Sequence, residues 1–318
     1  MDINRGLLDL MIEHIPKLNS RNKLALCQKC NGEADLALLS KEDIERFLQK
    51  ALPPWNMDDL RFQAEKDARE AERNGIGYVS YMEDAYPPLL RELYDPPALL
   101  FYRGTLPDPR LPMAAIVGTR KPSGNAAVLA YDTGKALGRG GIPVVSGLAL
   151  GIDAMAHRGN LDGKAPTVAV LGSGLDRIYP AANRVLARRI LEQGGVLLSE
   201  YPPGTEPFKW NFPARNRIIA GLARGTLIVE APAKSGALIS AGFALDLGRD
   251  LWVSQIGVRS PLGEGTRKLA EDGAQVISGA DAIFAEWGME VNRETVDTVS
   301  TSGPAISLAR SLNLEVRG

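Results

Sequence analysis

Residues 114–120 read AAIVGTR, and residues 167–174 read TVAVLGSG. In both segments a short apolar run ends at glycines and small hydroxyl residues, and a stretch with helical spacing of apolar residues follows. The apolar runs do not alternate with polar residues, which is typical of strands in a sheet that is covered on both faces. Because such strands and helices alternate throughout this part of the chain, we predict an α/β fold with a doubly wound, mostly parallel sheet.

The residues on either side of this region follow other patterns. Residues 1–75 show helical apolar spacing, a capping-box signature at Ser40 and Asp43, and a charged amphipathic stretch over Met57–Arg73. We therefore predict a helical N-terminal domain over 1–75 and an α/β domain over 76–287. Residues 288–318 are polar and rich in serine and threonine, so we expect a loose tail there.

The bulk properties exclude several classes of protein. The chain has 318 residues, a formal net charge of −1 and a pI near 6.2, so a nucleic-acid site has to be a local basic patch. It has no apolar run of about 18 residues and no signal-peptide pattern, so we expect a cytoplasmic protein with no membrane partner. Cys27 and Cys30 have CxxC spacing without a second such pair, which favours buried cysteines over a zinc or redox site.

The carboxyl ends of the predicted strands form the first candidate site, because ligands of doubly wound sheets bind there. Glycines and small hydroxyl residues at these positions let backbone N–H groups approach a phosphate closely. Arg120, Lys234 and either Arg215 or Arg217 fall on loops that we expect to face one crevice. A polyanion is the natural partner of such a crevice.

Residues 208–217, FKWNFPARNR, combine aromatic and basic side chains. Positive charge beside a helix N-terminus attracts phosphates, and flat rings stack on bases. The alternative is a loop whose rings fill the core and whose arginines lie in water or in salt bridges. The alternate spacing of the rings is typical of a segment packed on one side, so at most one or two of them can face bases, and we interpret Phe208, Trp210 and Phe212 as core. The site residues that we retain from this stretch are Arg215, Asn216 and Arg217.

Two nucleotide-binding motifs fail on their spacing. After Leu171 the chain reads GSGLDR, so Arg177 occupies the third glycine position of the dinucleotide fingerprint GxGxxG. Between Gly118 and Gly124 the spacing does not fit a phosphate-binding P-loop. A mononucleotide site remains open on the strand-end glycines alone.

Few residues are candidates for acid–base chemistry. Glu200 and Glu230 both end predicted strands and could face each other as a carboxylate pair. We favour the alternative, in which each accepts hydrogen bonds from loop amides or pairs with a loop arginine. In the same way we expect His157 to be a hydrogen-bonded helix residue and Asp153 to be a helix cap, rather than catalytic groups.

A series of motifs resembles those of the DprA/Smf family of bacterial DNA-processing proteins. The motifs occur in the family's order over residues 76–285: IVGTRKPS, SGLALGIDAMAHRG, VAVLGSGLDRIYP, LLSEYPPGT, FPARNRIIAGL, VEAPAKSGALISA and GAQVI. The resemblance implies an extended Rossmann-like domain preceded by a SAM-like helical domain. It also implies binding of single-stranded DNA, homodimerisation and loading of RecA in natural transformation, with no catalysis, cofactor or metal.

The resemblance also implies which residues bind DNA. The arginine of the family's G-[ST]-R motif matches Arg120, the basic loop matches Arg215–Arg217, and the Lys–Ser–Gly turn matches Lys234–Gly236. Together with the strand-end positions, the expected DNA site is Gly118, Thr119, Arg120, Ser123, Ser146, Gly147, Gly172, Ser173, Gly174, Arg215, Asn216, Arg217, Lys234, Ser235 and Gly236.

Departures from the family pattern concern a few positions. Asn125 and Ala126 replace the usual Tyr-Gly after the G-[ST]-R motif, and Leu150 stands where a basic residue is frequent. Many members carry a C-terminal winged helix, and we expect none in residues 288–318.

The alternative to a DNA-binding protein is a relative of the LOG-type nucleoside-phosphate hydrolases, which resemble this fold and carry PGGxGTxxE. The corresponding stretch from Pro261 has Leu262 at the second position and Leu269 where the catalytic glutamate is required. If the motif is placed on Lys234–Gly236 instead, Ile239 falls at that position, so the carboxylate is missing in either register. A nucleotide sensor that uses the same crevice is a further alternative.

Overall fold

The computed structural model describes residues 3–289, with side chains from residue 5 onward, so most of the predicted tail lies outside the described residues. Its strands are β1 (Gly77–Ser80), β2 (Leu99–Gly104), β3 (Ala114–Val117), β4 (Val144–Ser146), β5 (Val168–Val170), β6 (Val196–Ser199), β7 (Gly225–Ile228), β8 (Asp250–Ser254) and β9 (Gln275–Ile277). Its helices are α1 (Ile3–Glu13), α2 (Ser20–Lys29), α3 (Glu33–Ala37), α4 (Lys41–Leu48), α5 (Met57–Arg73), α6 (Gly124–Arg139), α7 (Ile152–Asp162), α8 (Arg184–Glu192), α9 (Asn211–Leu222), α10 (Ala237–Asp246), α11 (Gln255–Arg259), α12 (Glu264–Glu271) and α13 (Ala280–Glu286).

The N-terminal helices follow their sequence signals closely. The capping box is confirmed, because the Asp43 backbone N–H donates to Ser40 Oγ and the Ser40 backbone N–H donates to Asp43 Oδ2, both at 3.1 Å. Helix α5 has the predicted bounds, and the Asn56 side chain accepts from the Asp59 backbone N–H at its start. Cys27 and Cys30 are both free and buried, as expected.

The nine strands form one sheet in the order β1-β2-β6-β5-β4-β3-β7-β8-β9. The pairs β1–β2 and β2–β6 are antiparallel, and the other pairs are parallel. The predicted α/β class with a mostly parallel, doubly wound sheet is confirmed. The order of the parallel strands reverses at β3, which lies between β4 on one side and β7 on the other. This switch point is where a doubly wound sheet opens a crevice for ligands.

Both faces of the central strands are covered, which explains their unalternated apolar sequence. Ala115 and Val117 of β3 pack in a core with Ile218 and Ala241 from α9 and α10. Ile116, between them, points to the opposite face and packs in a core that α6, α7 and α13 help to form. The period of two along β3 therefore separates two helix layers rather than core from solvent.

The helical N-terminal region and the sheet share a third core. Leu8 and Leu26 of α1 and α2 belong to the same buried cluster as Phe101 and Leu197 of β2 and β6. The predicted domain boundary at residues 75 and 76 coincides with the gap between α5 and β1, and the division into domains stays a prediction. Among residues 3–289, no helix combines the length and the apolar character needed to cross a bilayer.

His157 of α7 is a fully buried histidine that the sheet region encloses. Its Nδ1 lies 2.7 Å from Thr167 Oγ1, and that hydroxyl donates its own proton to the Val144 carbonyl at 2.7 Å. Nδ1 therefore carries the proton of the neutral ring, while Nε2 is buried without a partner. Burial, and secondarily the charge of Arg215, lower the pKa of His157 to about 3. The expected hydrogen-bonded helix residue is confirmed.

We expect His157 to make the stability of the protein depend on pH. Between pH about 6.5 and about 3 the unfolded chain binds a proton at this residue and the folded protein does not, so the free energy of unfolding falls as the pH falls. The contribution is about 1.4 kcal/mol per pH unit within that window, and none above it. Urea unfolding of the wild type, His157→Asn and His14→Asn across this range measures it.

The chain has two histidines, so His14→Asn is the matched control. A pH slope that persists in His157→Asn and disappears in His14→Asn would contradict the assignment. Ring NMR signals of the intact protein provide a second measurement that does not need the variant to fold. One histidine should show no titration before the protein unfolds.

Candidate functional site

The principal cavity lies at the switch point, beyond the carboxyl ends of β3 and β7, and has a volume of about 760 Å³. Five parts of the chain converge on it: the loop after β3, the start of α7 with the loop before it, the segment after β5, the start of α9 with the loop before it, and the loop after β7 with the start of α10. Its lining comprises Val117, Gly118, Thr119, Arg120, Lys121, Ala149, Asp153, Tyr179, Pro207, Lys209, Phe212, Pro213, Arg215, Asn216, Ile219, Pro232, Ser235, Gly236, Ala237 and Ser240. The predicted crevice thus exists at the carboxyl ends of the parallel strands.

Backbone contacts fix the loop after β3 against its neighbours. The Thr119 backbone N–H donates to the Glu230 carbonyl at 2.7 Å, and the Ile152 backbone N–H donates to the Thr119 carbonyl at 3.2 Å. Gly151 has a φ of +76°, and a Cβ there would lie 2.5 Å from the Thr119 carbonyl oxygen. A glycine is therefore required for α7 to begin this close to the loop. The result is that Arg120 is presented to solvent at the rim of the cavity.

Glu230 holds the start of α6 beside this loop. Its Oε2 accepts from the Ser123 backbone N–H at 2.7 Å, and its Oε1 accepts from Ser123 Oγ at 2.8 Å. Ser123 Oγ in turn accepts from the Ala126 backbone N–H as the cap of α6. The favoured interpretation of Glu230 as an acceptor for loop groups is confirmed, and Ser123 acts behind the cavity rather than in its lining.

Arg215 forms the floor of the cavity. Its guanidinium donates to the carbonyls of Gly147 (2.9 Å) and Val170, at the ends of two adjacent strands. Burial lowers the pKa of Arg215 to about 10, an effect that Arg120 strengthens and Asp153 opposes. Arg215 is therefore cationic at neutral pH, and it shares the cavity with a second positive group.

Asp153 is the acidic member of the lining. Its carboxylate accepts from the backbone N–H groups of Gly147 (3.1 Å) and Ala149 (3.4 Å), in the first turn of α7. Burial raises its pKa, although Arg215 and these backbone bonds oppose the rise. Asp153 lies in the first turn of α7 as predicted, but it does not cap that helix, because the N–H groups that it accepts from precede the helix and both donate to its Oδ2.

The rim of the cavity carries unpaired positive charge. Arg120, Lys121 and Lys209 are exposed, and none of them forms an ion pair within residues 5–289. With Arg215 they make four basic side chains in the lining against the one carboxylate of Asp153. Such an excess of one sign in a concave site attracts anions.

An aromatic surface lies beside these charges. The Arg120 guanidinium carbon is 5.6 Å from the centroid of the Phe212 ring, within the range of a cation–π contact. Tyr179 packs against the same ring, with centroids 5.5 Å apart. Phe212 is half-buried and lines the cavity, so its interpretation as purely core is wrong.

The other two rings of residues 208–217 are exposed, which corrects their interpretation as core. Phe208 is 45% exposed and Trp210 is 69% exposed, and the rings stack with centroids 4.7 Å apart and planes 5° apart. The alternation grouped these rings correctly on one side of the segment. That side faces water, because Pro207 and Lys209 occupy the side that faces the cavity.

Arg217 lies outside the cavity, contrary to its place in the expected site. It is 4% exposed and donates to Glu200 Oε1 at 2.7 Å and Oε2 at 2.6 Å. It also donates to Ser20 Oγ of α2 at 3.2 Å, and its Nε lies 3.2 Å from Asp95 Oδ2. Residues two positions apart on a helix point to nearly opposite sides, so Arg215 and Arg217 cannot share one crevice. Glu200 thus pairs with an arginine as expected, although this arginine belongs to α9 and not to a loop.

Helix α9 begins at Asn211, so the basic residues lie in its second turn and not at its N-terminus as expected. Asn211 Nδ2 donates to the Gly172 carbonyl at 3.1 Å, which attaches the helix start to the end of β5. Asn216 Nδ2 donates to the Gly236 carbonyl at 2.9 Å and so joins α9 to the loop after β7. Lys234 is exposed on that same loop.

The remaining strand-end residues of the expected site support the cavity from below. Ser146 Oγ donates to the Ile116 carbonyl at 2.7 Å, and Ser199 Oγ donates to the Ser173 carbonyl at 2.8 Å. The expected site residues that do not line this cavity are Ser123, Ser146, Gly147, Gly172, Ser173, Gly174, Arg217 and Lys234. Of these, Gly147 lines a smaller adjoining cavity of about 60 Å³ together with Leu150 and Tyr179.

Sequence reasoning missed Lys121, Lys209 and Tyr179 as lining residues. Lys121 directly follows the Gly118–Arg120 turn, and Lys209 lies within the stretch 208–217, so their positions carried a signal. Tyr179 comes from the segment after β5, and nothing in the sequence connects it with Phe212. Among the described residues, no cluster of three or more His, Cys, Asp or Glu side chains has the geometry of a metal site.

The sequence is similar to a protein family and to several known proteins. The family model described as DNA recombination-mediator protein A matches residues 77–288. The Protein Smf of Synechocystis sp. is 44% identical over 237 residues, which are 73% of this chain and 58% of that protein. The DNA processing protein DprA of Streptococcus pneumoniae is 40% identical over 208 residues, which are 65% of this chain and 73% of that protein. The chain therefore spans a little more than half the length of the Synechocystis relative.

Two solved structures share the fold. The X-ray structure of DNA processing protein A from Streptococcus pneumoniae has a TM-score of 0.66 at 32% identity, over 91% of this chain and 95% of that chain. DNA processing protein A from Helicobacter pylori, described for its single-stranded DNA binding mode, has a TM-score of 0.59 at 31% identity. That likeness covers 67% of this chain and 95% of the other.

Proposed function

Because the chain belongs to the DNA recombination-mediator protein A family, also known as DprA/Smf, we propose that it binds single-stranded DNA without sequence preference. We further propose that it protects incoming strands and loads RecA onto them during natural transformation. The relative from Helicobacter pylori is described as binding single-stranded DNA, which supports the first part.

The single observation that carries this proposal is that one cavity combines positive side chains that form no ion pair with an aromatic surface. Arg120, Lys121 and Lys209 have no protein carboxylate to neutralise them, so phosphates are their natural partners. Phe212 and Tyr179 offer π surfaces within the same cavity, and base stacking on such rings is tolerant of sequence. A duplex keeps its bases stacked on one another, so only a single strand can use both features.

The proposed DNA contacts differ in kind. Arg120, Lys209 and Lys121 bind phosphates, and Lys234 extends the basic rim from the loop after β7. The backbone at Gly118–Thr119 and Ser235–Gly236 lines the cavity and approaches the strand closely. Arg215 holds two strand ends and adds its charge from below. Because none of these contacts reads a base edge, the binding is independent of sequence.

We propose no catalytic role for this cavity. The carboxylates nearest to it are occupied: Glu230 by Ser123, Glu200 by Arg217 and Asp153 by two backbone N–H groups. A hydrolase of the LOG type needs a glutamate free to act on a nucleotide, and both registers of its motif place leucine or isoleucine there.

Homodimerisation and the RecA contact are part of the same proposal, as is a cytoplasmic location. Ile239 and Leu245 of α10 are exposed, and so is Val276 on β9, the last strand of the sheet. Exposed apolar residues on a helix and on an edge strand favour association with a second copy. Light scattering that gives the mass of a single 34.2 kDa chain would exclude the dimer. Unchanged RecA filament formation on strands coated with single-strand-binding protein would exclude loading.

We expect a clear preference for single strands over duplex in fluorescence-anisotropy titrations. The logarithm of the binding constant should fall with the logarithm of the salt concentration, with a slope of about −2 to −3 if three or four phosphates are neutralised. Saturable binding of mononucleotides, with no dependence on strand length, would instead favour the nucleotide sensor. Release of free base from a nucleoside monophosphate would favour the hydrolase.

A further inference from the structure

The stacked rings of Phe208 and Trp210 form an exposed feature that the cavity does not include. Their planes differ by only 5° at a centroid separation of 4.7 Å, so the two rings present one continuous flat stack. With Trp210 69% exposed, most of its ring surface is in contact with water. Large apolar rings exposed to water in a fixed arrangement indicate a contact surface.

The loop that carries the rings is anchored along its length. The Phe208 backbone N–H donates to the Glu206 carbonyl at 2.9 Å, and the Asn211 backbone N–H donates to the Phe208 carbonyl at 3.0 Å. Glu206 in turn forms an ion pair with Arg177 at 2.5 Å. The rings are therefore held in position before a ligand arrives, which lowers the entropy cost of binding to them.

Lys209 connects the stack to the cavity. It lies between the two rings in sequence, and it lines the cavity from the opposite side of the segment. A strand whose phosphate contacts Lys209 would thus pass directly from the cavity onto the ring stack. Building on the proposed function, we propose that the Phe208–Trp210 stack is a second subsite, which takes the bases of nucleotides that leave the cavity.

The composition of the surroundings favours a nucleic-acid base over a protein partner. Protein interfaces need a contiguous patch of several hundred Å² on each partner. In residues 204–214 the other exposed side chains are Glu206, Lys209 and the small Pro213 and Ala214, so the two rings are the large exposed apolar groups of this segment. A flat aromatic pair flanked by a lysine fits a base with its phosphate.

The test is a titration of Trp210→Ala with oligothymidylates from about 4 to about 20 nucleotides long. We expect a loss of affinity of about fivefold or more, confined to strands long enough to leave the cavity. Phe62→Ala removes an exposed ring of α5 and should bind every length like the wild type. Trp210→Phe keeps the stack and should stay within about twofold of the wild type.

Trp210 also supplies a spectroscopic signal. Trp252 and Trp287 are buried, and Trp55 is half-buried in the N-terminal region outside the cavity, so quenching of tryptophan fluorescence by long strands should come largely from Trp210 and disappear in Trp210→Phe. A strand with abasic sites in place of the bases should bind Trp210→Ala and the wild type equally, because only the phosphates remain.

Several results would overturn this second subsite. One is a DNA affinity of Trp210→Ala that is unchanged at every strand length. Another is a loss of affinity that is equal at every length, including the shortest. The third is a loss on abasic strands that equals the loss on normal strands. A loss of RecA loading with unchanged DNA affinity would reassign the rings to a protein contact. Arg120→Glu distinguishes these outcomes from a failure of the proposed function. If the cavity does not bind DNA, this variant keeps the DNA affinity of the wild type; if only the second subsite is wrong, the variant still loses affinity.

Discussion

Arg120→Glu is expected to lower the affinity for single-stranded DNA by about 10- to 150-fold, the range for removal of one hydrogen bond to a charged group. Arg120 is exposed at the rim of the cavity, and the Phe212 ring lies 5.6 Å away beneath its guanidinium. Reversal of its charge removes a phosphate-binding group and places a carboxylate beside Lys121. The slope of the salt dependence should also become shallower by about 0.7 for each phosphate that the variant no longer neutralises.

Arg110→Glu is the matched control for this prediction. Arg110 is 87% exposed, pairs with Asp108 just before β3, and does not line the cavity. The control changes the net charge of the protein by the same amount, so it measures the general electrostatic effect. Equal losses for the two variants would show that total charge, and not the position of Arg120, determines binding. Arg120→Lys should recover part of the affinity, since it restores the charge without the planar group.

The sequence was most informative where local and tertiary preferences agree. Strand β3 coincides with the apolar run of residues 114–117, because such a short run suits a strand that is covered on both faces. Helix α5 has the predicted bounds because an asparagine cap and a terminal Asn-Gly mark its ends. The position of Arg120 at the rim followed from topology, since it comes directly after a central parallel strand.

The sequence did not show in which direction the side chains of residues 208–217 point. Arg215 and Arg217 are equally basic and two residues apart, so only the phase of α9 decides which one enters the cavity. That phase depends on the start of the helix at Asn211, which a hydrogen bond to the Gly172 carbonyl fixes from a distant part of the chain. The spacing of Phe208 and Trp210 shows that they share a side, but not whether core or water lies there.

Arg217→Met is expected to destabilise the protein by about 3–5 kcal/mol, the typical cost of leaving a buried charge without its partner. Although burial would lower it, the hydrogen bonds from Arg217 to Glu200 raise the pKa of Arg217, so Arg217 is charged at neutral pH. Because Arg217 also donates to Ser20 of α2, its loss loosens the contact between the N-terminal helices and α9. Chemical denaturation of the variant measures the effect, and Arg110→Ala, which breaks an exposed pair, should leave stability unchanged.

The double variant Arg217→Met, Glu200→Met tests whether Arg217 stabilises the fold by pairing with Glu200. If the loss comes from an unpaired carboxylate, the second substitution should restore a large part of the stability. Under conditions where the single variant is folded, its affinity for single-stranded DNA should match the wild type, because Arg217 does not line the cavity. A loss of affinity like that of Arg120→Glu in a fully folded protein would instead return Arg217 to the DNA site, as the sequence alone had indicated. The stability of the protein is therefore expected to depend on Arg217 of α9, and its DNA affinity on Arg120 of the loop after β3. Either property can be lost while the other is kept.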